Sequence, residues 1–107
     1  MWISRSLEPW VRGLAATRPV VVVTGARQTG KTSLARRLFP EHSYVSLDLP
    51  STAAQAEHDP STFLGEHPPP VVIDEVQYAP GLLRHVKRVV DQHRGERGQF
   101  ILTGSQP

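Results

Sequence analysis

At 107 residues the chain has room for one modest hydrophobic core and no second one. It contains no cysteine, which excludes disulfides and thiolate metal sites, and no apolar run approaches the roughly 18 residues of a membrane span. The net charge of +2 conceals blocks: residues 1–37 hold seven Lys/Arg against one acid, residues 38–83 seven acids and no Lys/Arg, and residues 84–107 five bases against two acids. Such asymmetry suits either a nucleic-acid face or blocks that fold beside one another and neutralise.

The opening residues, MWISRSLEPW, lack the apolar core and small-residue cleavage site of an export signal, so the expectation is a cytoplasmic protein with no membrane partner. Ile3, Leu7, Trp10, Val11 and Leu14 recur at helical spacing and predict an amphipathic opening helix over 3–16. Val20 to Val23 is a continuous β-branched run, the pattern of a strand buried on both faces of a parallel sheet.

Gly25-Ala26-Arg27-Gln28-Thr29-Gly30-Lys31-Thr32 follows directly and matches G-x-x-x-x-G-K-[ST] in full. A chance match in so short a chain is roughly a few in a thousand at ordinary glycine frequency, so the motif is specific. The chemistry needs these residues for stated reasons. Glycines let consecutive backbone N–H groups turn inward toward phosphate oxygens, and the following helix adds the positive end of its dipole. Lys31 is placed to reach the β- and γ-phosphates, Thr32 to offer a hydroxyl to Mg²⁺, and Ser33 extends the helix start. A plain glycine turn would serve a strand–helix connection without the lysine and the threonine.

Ser33 to Phe39 is predicted as the helix after the loop, with Leu34, Leu38 and Phe39 on one side and Arg36 and Arg37 toward another. A second strand is expected over Tyr44–Leu49, a short helix over Ala53–Glu57 and a further turn over Ser61–Leu64. Three prolines, Pro68 to Pro70, precede a third buried strand, Val71-Val72-Ile73, which ends in Asp74 and Glu75. Asp74 stands 43 residues after Lys31. In a parallel sheet both strands open on one edge, so Asp74 becomes the candidate Mg²⁺ acid and Glu75 the candidate group that orients the attacking water.

Leu82, Leu83, Val86, Val89 and Val90 predict a helix that starts near Pro80, runs to Gln92 and carries basic residues at Arg84, Lys87 and Arg88. Together with Arg94 and Arg97 these are candidates for phosphates of a nucleic acid, or form a solvated polar face. The five histidines show no metal-ligand spacing and are expected at the surface or against a partner. Gln99 to Thr103 is the fourth strand, and its polar end, Thr103-Gly104-Ser105-Gln106, either lies beside the γ-phosphate, with Ser105 and Gln106 as secondary candidates, or forms a polar turn that touches no ligand. Strands alternating with helices predict an α/β fold: a P-loop core with a mainly parallel sheet of about four strands in a three-layer arrangement.

The strings TGARQTGKTSL, VVIDEVQYAPGLLRHVKRVVD and GQFILTGSQ, in that order, resemble the AAA-superfamily ATPase domain of a large prokaryotic group, the fourteenth AAA family, in which a C-terminal domain of unknown function follows. The resemblance covers nearly the whole chain. It implies an ATP- and Mg²⁺-dependent ATPase, cytoplasmic, with a possible homo-oligomer or protein partner. The strand ending in TGSQ would lie between the Val20 and Val71 strands, with Ser105 or Gln106 as γ-phosphate sensor. Gln77 also fits the family pattern. Members of the group continue into a fifth strand, a helical lid, an arginine finger and a second domain. By that comparison residues 1–107 form one incomplete domain, with a nucleotide-binding core over 19–107, whose Val20 strand would be left at an exposed edge. The alternative reading is a nucleotide-binding switch or interaction module with little turnover that contacts DNA.

Overall fold

The computed structural model describes residues 15–26, 31–92 and 95–106, and at 24–26, 31–34, 105 and 106 it describes the backbone. The expected opening helix lies outside these residues except for a last helical turn at 15–17. Four strands follow: β1 (Val20–Ala26), β2 (Ser43–Ser46), β3 (Val71–Asp74) and β4 (Phe100–Gln106). The helices are α1 (Lys31–Leu38), α2 (Pro50–His58), α3 (Pro60–Glu66) and α4 (Pro80–Gln92), and a 3-10 turn spans Val76–Tyr78.

The sheet is parallel throughout, in the order β1-β4-β3-β2, so the last strand in the sequence lies between the strand of the glycine motif and the strand of the acids. Alternation along the strands separates two cores. Val21 and Val23 of β1, Val72 of β3 and Ile101 of β4 pack with Ala35 and Leu38 of α1. The intervening residues Val45, Val71, Ile73, Phe100 and Leu102 pack with Ala56 of α2, Phe63 and Leu64 of α3, and Leu82 and Val86 of α4. Successive side chains of a strand point to opposite faces, so four short apolar runs are enough to bind helices on both sides of the sheet. The result is the expected three-layer α/β arrangement.

Boundaries differ from expectation where a partner strand or a proline decides them. β4 runs on through Gln106 because β1 pairs with it residue for residue, Gly25 opposite Ser105 and Ala26 opposite Gln106. β2 stops at Ser46, the partner of Asp74 at the end of β3. Leu47 adds one N–H bond to the Asp74 carbonyl and is fully buried, whereas Leu49 is exposed and leads into α2. α2 and α3 are longer than their apolar patterns suggest, since each begins at a proline whose fixed φ suits the first helical position. Between them Asp59 ends the one helix and caps the other through its side chain. Leu83 of α4 points outward although its spacing assigned it to the core.

Candidate functional site

Parallel pairing brings the ends of β1, β3 and β4 to one edge. Gly25 and Ala26 close β1, and Lys31, Thr32 and Ser33 open α1, so the segment joining strand to helix at this edge is 27–30. Arg27, Gln28, Thr29 and Gly30 themselves lie outside the described residues. Ser105 and Gln106 end β4 as the ladder partners of Gly25 and Ala26, which brings the backbones of these four candidates together.

Asp74 ends β3 in the interior, only 6% exposed. The β3–β4 register, with Ile73 opposite Leu102, carries one step further to set Asp74 beside Thr103. The hydroxyl of Thr103, which has no exposed surface, donates to Asp74 Oδ1 and accepts from the Glu75 backbone N–H at 3.2 Å. From the other side, the Tyr44 hydroxyl of β2 donates to Asp74 Oδ2 at 3.0 Å. Each carboxylate oxygen thus has a donor from a neighbouring strand, which meets part of the cost of burying the charge.

Burial raises the Tyr44 phenol, and the hydrogen bond to Asp74 and the negative charge there raise it further, to about 12, against the smaller lowering effects of Ser46 and Arg36. Tyr44 therefore remains a proton donor at physiological pH. The guanidinium of Arg36, on α1, lies 4.6 Å from the centre of the Tyr44 ring, a cation–π distance.

Glu75 is the one described non-glycine residue with positive φ, at φ 62°, ψ 49°. That left-handed conformation costs of order 1 kcal/mol or more for such a residue and persists where surrounding contacts fix it. Here the contacts are the Thr103 hydroxyl on its N–H and the Gln77 side-chain amide, which donates to Oε2 at 3.1 Å. The bend turns the chain sharply out of β3 and leaves Glu75 8% exposed beside the strand that carries Asp74. Two carboxylates of adjacent residues are therefore buried at the edge where the glycine segment joins β1 to α1.

A buried carboxylate oxygen set of the kind Asp74 offers is what a hard cation such as Mg²⁺ takes, and α1, whose backbone opens at Lys31 and Thr32, packs on the same face of the sheet. Sequence reasoning singled out Asp74 and Glu75 as candidates but did not foresee that the Thr103 and Tyr44 hydroxyls would bond to Asp74. The available signals were a hydroxyl within the apolar strand FILTG and a tyrosine in the alternating YVSL, and neither has meaning before the register is known.

The other candidates are placed elsewhere. Arg84, Lys87 and Arg88 are exposed on α4, whose buried residues pack on the face of the sheet opposite α1. Arg94 is outside the described residues. His42 bonds the Gly98 carbonyl at 2.8 Å and packs on Phe39, and His67 packs on Phe63, so both hold local structure. Among the described residues no helix is long and apolar enough to cross a membrane.

No curated protein matches the chain. A family model described as AAA domain, of the fourteenth type that the motifs resemble, matches residues 17–107, from just before β1 past the end of β4. With the β1–β4–β3 order and the acids at the end of β3, that match makes the chain a nucleotide-binding member of the AAA domain family.

Proposed function

We propose that the chain binds ATP with Mg²⁺ at the edge formed by β1, β3 and β4 and that the protein hydrolyses it to ADP and phosphate. The observation that carries this reading is the pair of buried carboxylates, Asp74 and Glu75, at the edge of the sheet where the glycine motif connects β1 to α1. Backbone N–H groups from Gly25 through Ser33, including those of Ala26, Arg27, Gln28, Thr29 and Gly30, cradle the phosphates. Lys31 neutralises β- and γ-phosphate charge, and Thr32 and Asp74 hold the Mg²⁺. The metal, when bound, withdraws charge from the phosphate oxygens. Glu75 orients a water and accepts its proton as the bond from the γ-phosphorus to the bridging oxygen breaks. Ser105 and Gln106, opposite Gly25 and Ala26, contact the γ-phosphate. A chain of this kind acts in the cytoplasm, where ATP is supplied.

Titrations of MgATP and assays of phosphate release on the native chain, Lys31→Ala and Glu75→Gln test the proposal. Lys31→Ala is expected to weaken binding by at least tenfold, and Glu75→Gln to bind normally while release falls by about 10²-fold or more. Native affinity in Lys31→Ala would refute the phosphate-loop assignment.

One contact favours a second reading, a nucleotide-dependent switch with little turnover: Gln77 already occupies one oxygen of the Glu75 carboxylate. On that reading release is equally low in the native and Glu75→Gln chains, and Gln77→Ala raises it. Such a module would pass its state to a protein partner, a second copy or DNA. Contact with DNA through Arg84 and Arg88 requires salt-sensitive binding that weakens in Arg84→Ala.

A further inference from the structure

The Tyr44–Asp74 contact follows from the sheet register. In the β2–β3 ladder Tyr44 is opposite Val72, two residues before Asp74 on the same face, so its side chain must cover roughly 7 Å along the strand to reach the acid. A phenylalanine would fill the same space beside Val72; only the hydroxyl adds the bond to Oδ2. Arg36 over the ring ties that side chain to α1, the helix whose first residues carry Lys31 and Thr32.

We infer that Tyr44 is a positioning residue for Asp74: with Thr103 on Oδ1 and Tyr44 on Oδ2, it fixes the plane of the carboxylate and so presents the acid to Mg²⁺. The inference rests on the reading of Asp74 as the metal acid. A carboxylate has about four acceptor positions, and donors from two neighbouring strands, one on each oxygen, limit its rotation. Without the Tyr44 hydroxyl, Oδ2 loses a donor that opposes rotation about χ2, and the metal would then bear more of the cost of ordering the carboxylate.

The experiment uses the full chain and titrates ATP calorimetrically in excess EDTA and over a Mg²⁺ series, for the native protein, Tyr44→Phe and Asp74→Asn. Tyr44→Phe keeps the ring beneath Arg36, and circular dichroism checks its fold. The expected result is ATP affinity in EDTA within about twofold of native, with the Mg²⁺ concentration for half-maximal binding raised about tenfold, the weight of one charge-assisted hydrogen bond. A purely structural tyrosine would lower the melting temperature and leave the Mg²⁺ requirement alone. If Tyr44→Phe has the native Mg²⁺ requirement while Asp74→Asn does not, the positioning role is wrong and the metal-acid reading stands. If Asp74→Asn also keeps the native requirement, both fall.

Discussion

Thr103 is the residue on which the site's buried polar groups converge. Its hydroxyl has one proton and two acceptor positions, and it uses them to donate to Asp74 and to accept from Glu75. Thr103→Val preserves shape but strips Asp74 Oδ1 of a donor and leaves the Glu75 N–H facing a methyl group. Since groups left unsatisfied in the interior carry their full desolvation cost, urea denaturation should show a loss of about 1–3 kcal/mol, largely restored in Thr103→Ser. A valine variant as stable as the native chain would mean that water replaces the hydroxyl. This is also where sequence reading stopped. Asp74 and Glu75 stand out because they end an apolar run 43 residues after the lysine of a complete glycine motif, whereas threonine and tyrosine are ordinary strand residues. Their importance depends on which strand lies alongside and in what register.

Among the elements, α4 begins on a contact made at long range. The carboxylate of Glu57, near the end of α2, accepts from the Gly81 N–H with its two oxygens at 2.8 and 3.1 Å, supplying negative charge to the first turn of a helix that has no acid of its own there. A Cβ on Gly81 would come within 2.6 Å of Glu57 Oε1, so alanine there displaces the carboxylate. Two effects then compete. Alanine is favoured over glycine in a helix by about 1 kcal/mol, and losing the cap costs about as much. We expect Gly81→Ala to be near neutral in the native chain and stabilising by about 1 kcal/mol in a Glu57→Ala background, a sign of coupling that a double-mutant cycle in urea reads directly. Equal effects in both backgrounds would show that the contact contributes nothing. The helix itself was plain in the sequence from Leu82, Val86 and Val89; its cap was not, because Glu57 and Gly81 lie on different helices. α2 and α3 were under-read for a related reason. Each buries only two residues, Ala53 and Ala56 in one and Phe63 and Leu64 in the other, too few to set a helical period.

For the whole molecule, the sheet order decides both exposure and assembly. Among the described residues β1 pairs with β4 on one side and with no strand on the other, and Val22, on the face away from α1, is 58% exposed. The edge foreseen from the sequence is thus present in the described structure. An open edge with an apolar side chain invites pairing with another chain, and a lysine is a common means of blunting it. Val22→Lys should leave the unfolding midpoint within about 0.5 kcal/mol of native and reduce concentration-dependent light scattering. A larger loss of stability would mean that this valine is covered.

The position of β4 between β1 and β3 also has a consequence in time. Val20 is paired with Phe100, at the far end of the sequence, so β1 leaves the ribosome long before its partner exists, and the glycine motif and the two acids share no strand contact until β4 arrives. Closing so long a loop is slow and delays the gain from pairing β1 until β4 has been made. The strands that end in the phosphate segment and in the carboxylates are therefore joined in a late event, and a nascent chain halted before Phe100 would carry both motifs without the strand that lies between them.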